Sequence, residues 1–450
     1  MTVRAWLGRR SPRQILAVAA LIFLVYAFPG FLSNDQESNI LDARSGIYED
    51  AHPPILPLLW RLCSVVMTGP LPMLLVQTAM ILAGLYLLLR QRLSPQRAAV
   101  VASAILIFPP VAGVIAIAGG KEPLMFGFTL LGIALVMSER TWPRRAGVAL
   151  LVLGTAVRWN ALAATCVPVV LLYATRRTGW RRYAISFAMW IAITVAAFGL
   201  NRLLTDRPTH LWFGTHAYQD IAGTLRWLPD RDDASLRATF AGTPLVRTDG
   251  IHAWLKANYN PGHYSHLNYG DDRVWDRPAT AAERDAVWRA WKEIVLGNPA
   301  AYLQYRWDNF KLLLSLDRTD AFSNVYVWFT MIAEPDVPAR IQHDATASRV
   351  QDLMRDGNVE LSNTPLFWVF PYAFACVLLL PFARRDRLAA AFLLSAIGYE
   401  LAWFFLAPTT DLRYSAWLLP CLVLAAASLA RRFAKQTIAP STVVVTIHCE

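Results

Sequence analysis

Residues 33–54 read SNDQESNILDARSGIYEDAHPP, and directly before them lies ILAVAALIFLVYAFPGF at 15–31. The apolar run is uncharged and, taken as 14–32, is close to the roughly 20 residues a helix needs to cross a bilayer. Five acids, Asp35, Glu37, Asp42, Glu49 and Asp50, then crowd one short loop at its exit. Arg9, Arg10 and Arg13 stand at the other end, which the positive-inside rule makes cytoplasmic. The acidic loop therefore opens on the outer face. The run continues into FPGFLS with no small-residue cleavage site, so an uncleaved first span is expected.

The alternation continues outward from this loop. Further apolar runs lie near 71–89, 98–118, 123–138, 146–158, 160–175, 183–203, 364–383, 388–407 and 413–430. Basic clusters occupy every second connection: Arg90, Arg92 and Arg97; Arg140, Arg144 and Arg145; Arg176, Arg177, Arg181 and Arg182; Arg384, Arg385 and Arg387; and Arg431, Arg432 and Lys435. Both termini are thus expected inside and the remaining connections outside. With 55% hydrophobic and 17% charged residues among 450, the chain departs from soluble globular composition. The net charge of +11 is carried largely by the inner clusters, so no nucleic-acid partner is implied. Five cysteines, in apolar runs or at the extreme tail, form no disulfide framework and no CxxC spacing.

The expected fold is an all-α polytopic membrane protein of about ten transmembrane helices. An N-terminal module spans 1–203 and contains the first outer loop; residues 204–363 form a large, mainly helical outer domain. Residues 364–435 supply the C-terminal spans, and 436–450 a cytoplasmic tail. ILPLLWRLCSVVM at 55–67 breaks the charge parity if counted as a span. It is short, carries Arg61 and follows His52-Pro53-Pro54, which predicts an interfacial helix along the outer leaflet. VRWNAL at 157–162 joins two short apolar runs with no hydrophilic loop, predicting half-length helices that meet near the outer side at Arg158 and Asn160. Such a break is tolerated only where it is buried or lines a cavity. Residues 279–316 predict a helix broken at Gly297-Asn298-Pro299.

Charges near membrane depth are costly and mark functional candidates. Asp35 follows the first span by a few residues, where its carboxylate sits at the interface and its proton affinity is open to tuning. Asp35 and Glu37 also fit a solvated loop or the start of a helix. AGGKEPL at 118–124 sets Lys121 and Glu122 after a glycine pair, where a backbone can approach a ligand and a lysine can pair with phosphate. APTTDLRYSA at 407–416 puts Asp411 and Arg413 at the mouth of the last span, and Glu400 lies within AIGYELAWFF. These charges come from separate elements yet share one membrane face, as a site for an amphiphilic phosphorylated substrate requires. HYSH at 263–266, followed by Asp271 and Asp272, sits in a loop-like stretch without helical spacing, so no metal site is expected.

Together these segments resemble the GT-C superfamily of integral-membrane glycosyltransferases, near the family 39 protein mannosyltransferase-like enzymes and the bacterial aminoarabinose transferases. The resemblance runs in order through SNDQES, EDAHPPILPLLW, GGKEPL, VRWNAL and DLRY, with HAYQDIAG (216–223) and GNPAAYLQYRWDNF (297–310) similar to segments of bacterial members with one large outer domain. It implies transfer with inversion of a sugar from a polyprenyl-phosphate donor to a glycan, lipid or protein acceptor, on the periplasmic side of a bacterial inner membrane. It puts the base at Asp35 or Glu37, since many relatives have an adjacent acidic pair where this chain has Asp35-Gln36-Glu37. Lys121, Arg158 and Arg413, with Arg61 behind them, would bind the donor phosphate, supported by Glu49, Asp50, His52, Glu122, Asn160, Glu400 and Asp411. A single-phosphate donor leaves less need for a divalent metal, and no cofactor is expected. A lipid-linked sugar transporter or a polysaccharide polymerase is the rival reading.

Overall fold

The computed structural model describes residues 10–317 and 364–437, apart from 33, 262–266 and 408, together with 353, 356–357 and 360–362. The histidine pair of HYSH and the tail from 438 lie outside the described residues, as does most of 318–363. Among the described residues the only β-structure is three isolated bridges; the fold is helical.

In chain order the helices are α1 (Pro12–Ala27), α2 (Asn34–Ser45), α3 (Ile55–Val66), α4 (Leu71–Arg90), α5 (Pro95–Ile107), α6 (Pro109–Ile115), α7 (Lys121–Val136), α8 (Thr141–Ala156), α9 (Ala161–Leu172) and α10 (Gly179–Leu204). The segment beyond holds α11 (Leu211–Gly214), α12 (His216–Leu225), α13 (Asp233–Thr239), α14 (Ile251–Asn258), α15 (Ala281–Trp291) and α16 (Pro299–Leu313). The C-terminal part holds α17 (Val369–Leu379), α18 (Arg387–Leu406), α19 (Leu412–Ser415) and α20 (Leu418–Thr437).

All ten apolar runs are helical, but not all are long. Four stretches, Leu71–Arg90, Gly179–Leu204, Arg387–Leu406 and Leu412–Arg431, are long and apolar enough to cross a membrane, and α5 with α6 makes a fifth if counted as one bent span. The expected single span at 98–118 is this pair, bent by 73°. Its cause is Phe108-Pro109-Pro110: Phe108 is extended (φ −68, ψ 121), as a residue before proline tends to be, and Pro109 restarts the helix. Proline also shortens others. Pro29 follows the end of α1, and Pro381 lies in the 3₁₀ turn that ends the 364–383 run.

The membrane part is one apolar core. α7 packs between α4 and α8, α9 against α18, and α18 against α20. Small residues set the approach: a Cβ on Gly84 would stand 2.6 Å from the Leu131 nitrogen, and one on Gly147 would stand 2.7 Å from that of Val136. The segment after α10 has its own core, with Tyr218 stacked on Trp275 at 4.6 Å. The break expected at Gly297-Asn298-Pro299 is present, α15 running through a π-helical turn, Lys292–Leu296, before Pro299 opens α16.

Candidate active site

The site is assembled by backbone pairing of loops distant in sequence. Phe31 donates from its nitrogen to the Ala116 carbonyl (2.9 Å) and accepts from the Ala118 nitrogen (3.0 Å). This short parallel bridge lays the exit of α1 beside the turn before α7, so Asp35 and Lys121 each follow it within a few residues. Gly30 (φ +126) permits the contact; a Cβ there would meet that of Ala118 at 2.7 Å. From within α4, Gln77 holds the turn by donating to the carbonyls of Ile115 (2.6 Å) and Ile117 (3.0 Å) and accepting from the Gly119 nitrogen (3.0 Å). Trp60 of α3 closes over Gly119, where any side chain would collide with the indole.

The far end of the first loop is tied to the chain beyond α10. The nitrogens of Asp206 and Arg207 donate to the Tyr48 carbonyl, and Asp50 accepts from both the Thr209 nitrogen (2.5 Å) and hydroxyl (2.6 Å). Asp50 thus fastens the loop, and Glu49 lies in the bridge to Arg207. Between these two anchors Asp35 faces three neighbours: Lys121 Nζ at 3.1 Å, Arg413 Nη1 at 3.5 Å and His52 Nε2 at 3.9 Å.

A second layer lies beneath. Glu122, 2% exposed, bonds directly to Arg158 and stands 3.8 Å from Arg413. Arg158 also donates to Asn160 (2.9 Å), and its guanidinium lies over the rings of Trp403 (4.8 Å) and Tyr414 (5.2 Å), which are stacked on each other at 4.3 Å. Arg413 is paired with Asp411 at 2.7 Å. Three carboxylates and three cations therefore interleave, so charge is balanced without an external ion.

The electrostatics follow from this packing. Burial disfavours ionisation of Asp35, but Lys121, His52 and Arg413 more than offset it and hold the carboxyl well below the usual carboxylate range. Burial, reinforced by Lys121 and opposed by Asp35, lowers His52 to about 4, and its Nδ1 is buried with no hydrogen-bond partner.

The expected residues thus separate. Asp35, His52, Lys121, Glu122, Arg158, Asn160, Asp411 and Arg413 come together. Glu400 does not join them: one carboxylate oxygen accepts from the Ser415 hydroxyl (2.8 Å), and the other is buried without a partner. Arg61 is exposed on α3, beside Gly46, and Glu37 is partly exposed on α2. Trp403 and Tyr414, which shelve Arg158, and Gln77, which holds the turn, were not read from sequence, because an aromatic or amide in an apolar run resembles ordinary membrane-helix composition. Asp220 and Arg306 were also missed. They form a buried ion pair in which Arg306 also donates to the Ala407 carbonyl (2.9 Å), at the start of the connection bearing Asp411 and Arg413. Comparison with protein-family models, curated proteins and solved structures finds no match.

Proposed function

We propose that this protein is an inverting glycosyltransferase that moves a sugar from a polyprenyl-phosphate donor to a glycan, lipid or protein acceptor, at the periplasmic face of a bacterial inner membrane. The observation that carries the reading is the contact of Asp35 with Lys121 and Arg413 at the ends of apolar helices, backed by the buried Glu122 and Arg158. A lipid phosphate is the anion that arrives at this depth attached to an apolar chain.

Lys121 and Arg413 bind that phosphate by exchanging Asp35 for it, and stabilise the charge that grows on the phosphate oxygen as the glycosidic bond breaks. Arg158, locked by Glu122 and the Trp403–Tyr414 shelf, fixes the second layer so that little reorganises during transfer. The ten-span arrangement belongs to this reading, the short helices α1 and α17 keeping apolar faces such as Leu21 and Val377 exposed as a lipid-facing span would.

The test is release of polyprenyl phosphate by purified protein in detergent across a panel of polyprenyl-phosphate sugars, followed by mass spectrometry. Wild type is expected to release it, and Asp35→Asn, which lacks the carboxylate that the arriving phosphate frees to take the acceptor's proton, to lose at least about 100-fold. The 73° bend between α5 and α6 favours a second reading, transport of a lipid-linked sugar, because broken helices also build transporter sites. Counterflow of labelled substrate in vesicles with no release of lipid phosphate would select it.

A further inference from the structure

We propose that α16 lies along a bilayer surface, with its exposed stripe of Leu303 and Trp307 seated among lipid headgroups and upper acyl chains, so that the segment after α10 is held down on the membrane. The occupant of the stripe is lipid.

The helices that α16 crosses set its place. Near its middle Arg306 donates to the Ala407 carbonyl at the end of α18 (2.9 Å), and the ring of Phe310 meets that of Phe404 edge to face at 5.6 Å. Toward its end it meets α17. There the Leu314 carbonyl accepts from the Phe370 nitrogen (2.9 Å) and the Ser315 hydroxyl from the Val369 nitrogen (3.4 Å). From Arg306 to Leu314 a helix advances about 12 Å, so α16 runs across the ends of two apolar helices instead of standing up from them.

Its faces sort accordingly. At about 3.6 residues to the turn, Tyr305, Arg306, Asn309 and Phe310 turn inward, and all four are buried. The exposed sector is divided: Leu303 (47% exposed) and Trp307 (45%) form one stripe, and Gln304, Asp308 and Lys311 form the next. Asp308 and Lys311 pair at 2.9 Å on this polar side. Because Arg306 and Asn309 occupy the inward face, the helix as a whole is not amphipathic, and only its exposed sector separates apolar from polar.

Continuity decides what covers the apolar stripe. Trp307 and Phe310 stand 6.4 Å apart between ring centroids, Phe310 and Phe404 5.6 Å, and Phe404 and Phe405 4.8 Å, which leads ring by ring from α16 to an exposed side chain of α18. Leu401 and Phe405, one turn apart, are the exposed apolar stripe of a helix long and apolar enough to cross a membrane. That stripe calls for lipid. Lipid covering Phe405 meets Trp307 just beyond the end of α18, at the headgroup level where an indole is favoured, while Gln304, Asp308 and Lys311 stay in water. The same helix carries Arg306, so its seat on lipid keeps the connection bearing Arg413 at the membrane surface.

The experiment places single cysteines carrying an environment-sensitive fluorophore in a cysteine-free, full-length chain reconstituted in phosphatidylcholine nanodiscs. Leu303→Cys and Trp307→Cys are compared with Gln304→Cys on the same helix, with Phe405→Cys as the lipid reference and Asp272→Cys as the water reference. Iodide in the buffer and a lipid bearing a nitroxide near its headgroup are the two quenchers. Labels at 303 and 307 are expected to emit at shorter wavelength than the label at 304 and to lose emission to the nitroxide lipid as the label at 405 does, with iodide quenching them less than it quenches 304 and 272. Quenching of both by iodide alone would put the stripe in water, and protection from both quenchers would put it under protein, of this chain or of a second copy; either result overturns the proposal. A check without labels uses Trp307→Phe with the native cysteines, which should lose less tryptophan emission to the same lipid than wild type. Equal losses also overturn it. None of these results bears on the transferase reading, which release of polyprenyl phosphate tests separately.

Discussion

Glu122 is the residue on which the charges of the site balance, bonding Arg158 on one side and approaching Arg413 on the other. Replacing it by Gln leaves two largely buried guanidiniums short of an anion, and removing one partner of a buried pair costs about 3–5 kcal/mol. Glu122→Gln should therefore lower the unfolding temperature in detergent by several degrees, and Glu122→Gln with Arg158→Met should recover part of it. A second prediction concerns acid. His52 takes a proton near 6.5 when unfolded and only near 4 when folded, so the unfolded chain binds more protons between those values. Stability supplied by the neutral ring is complete above pH 6.5 and falls as pH drops toward 4. The unfolding temperature of His52→Gln should depend less steeply on pH across that window; an unchanged slope would remove His52 from the balance. At this scale the charged half of the site was legible, because a charge near membrane depth has few bland explanations. Its aromatic half was not, since nothing in GYELAWFF distinguishes Trp403 under a guanidinium from a lipid-facing ring.

Two amides inside apolar helices join the elements. Gln77 bonds three backbone groups of the turn that presents Lys121. Asn201, 2% exposed near the end of α10, donates to the Ala156 carbonyl at the end of α8 (2.8 Å) and accepts from the Ile55 nitrogen at the start of α3 (3.3 Å). Each satisfies backbone that a helix terminus leaves open, and an unmatched buried group costs about 1–3 kcal/mol. Asn201→Leu should thus destabilise by roughly 2 kcal/mol. Gln77→Leu should in addition reduce release of lipid phosphate, since it frees the turn before Lys121. Equal activity of the two variants at matched stability would deny Gln77 that positioning role. The short helix at 55–66 and the break at 157–160 could be read beforehand because proline, arginine and asparagine interrupt apolar runs there. The bend at Phe108 could not be read from hydropathy, which passes over FPP without a dip, although the two prolines state it in backbone terms.

The whole molecule is organised by two poles. At one, Arg92 bonds Asp386 (3.2 Å) and Ser428 (2.8 Å), and Arg431 reaches the Gln91 carbonyl (3.3 Å). At the other lie Asp35, Lys121, Arg158 and Arg413. Helix α18 runs from the first pole, with Asp386 as its N-cap, to the second, where Ala407 ends it and accepts from Arg306. Twenty helical residues cover about 30 Å, so the two charged poles stand about the thickness of a bilayer core apart. On the transferase reading the poles belong to the two membrane faces; the alternation of basic connections gave no sign that the segment after α10 would be fastened to the site through Asp220 and Arg306. In a cysteine-free background, Asp272→Cys, whose native side chain is 89% exposed in the segment after α10, should on the transferase reading react with a membrane-impermeant maleimide on intact cells. Arg177→Cys, exposed between α9 and α10, should react only after permeabilisation. Labelling of both from one side would place the two poles on a common surface. That result would make the cation cluster an internal ion network with no access to a lipid-borne phosphate, and the proposed chemistry would fall with it.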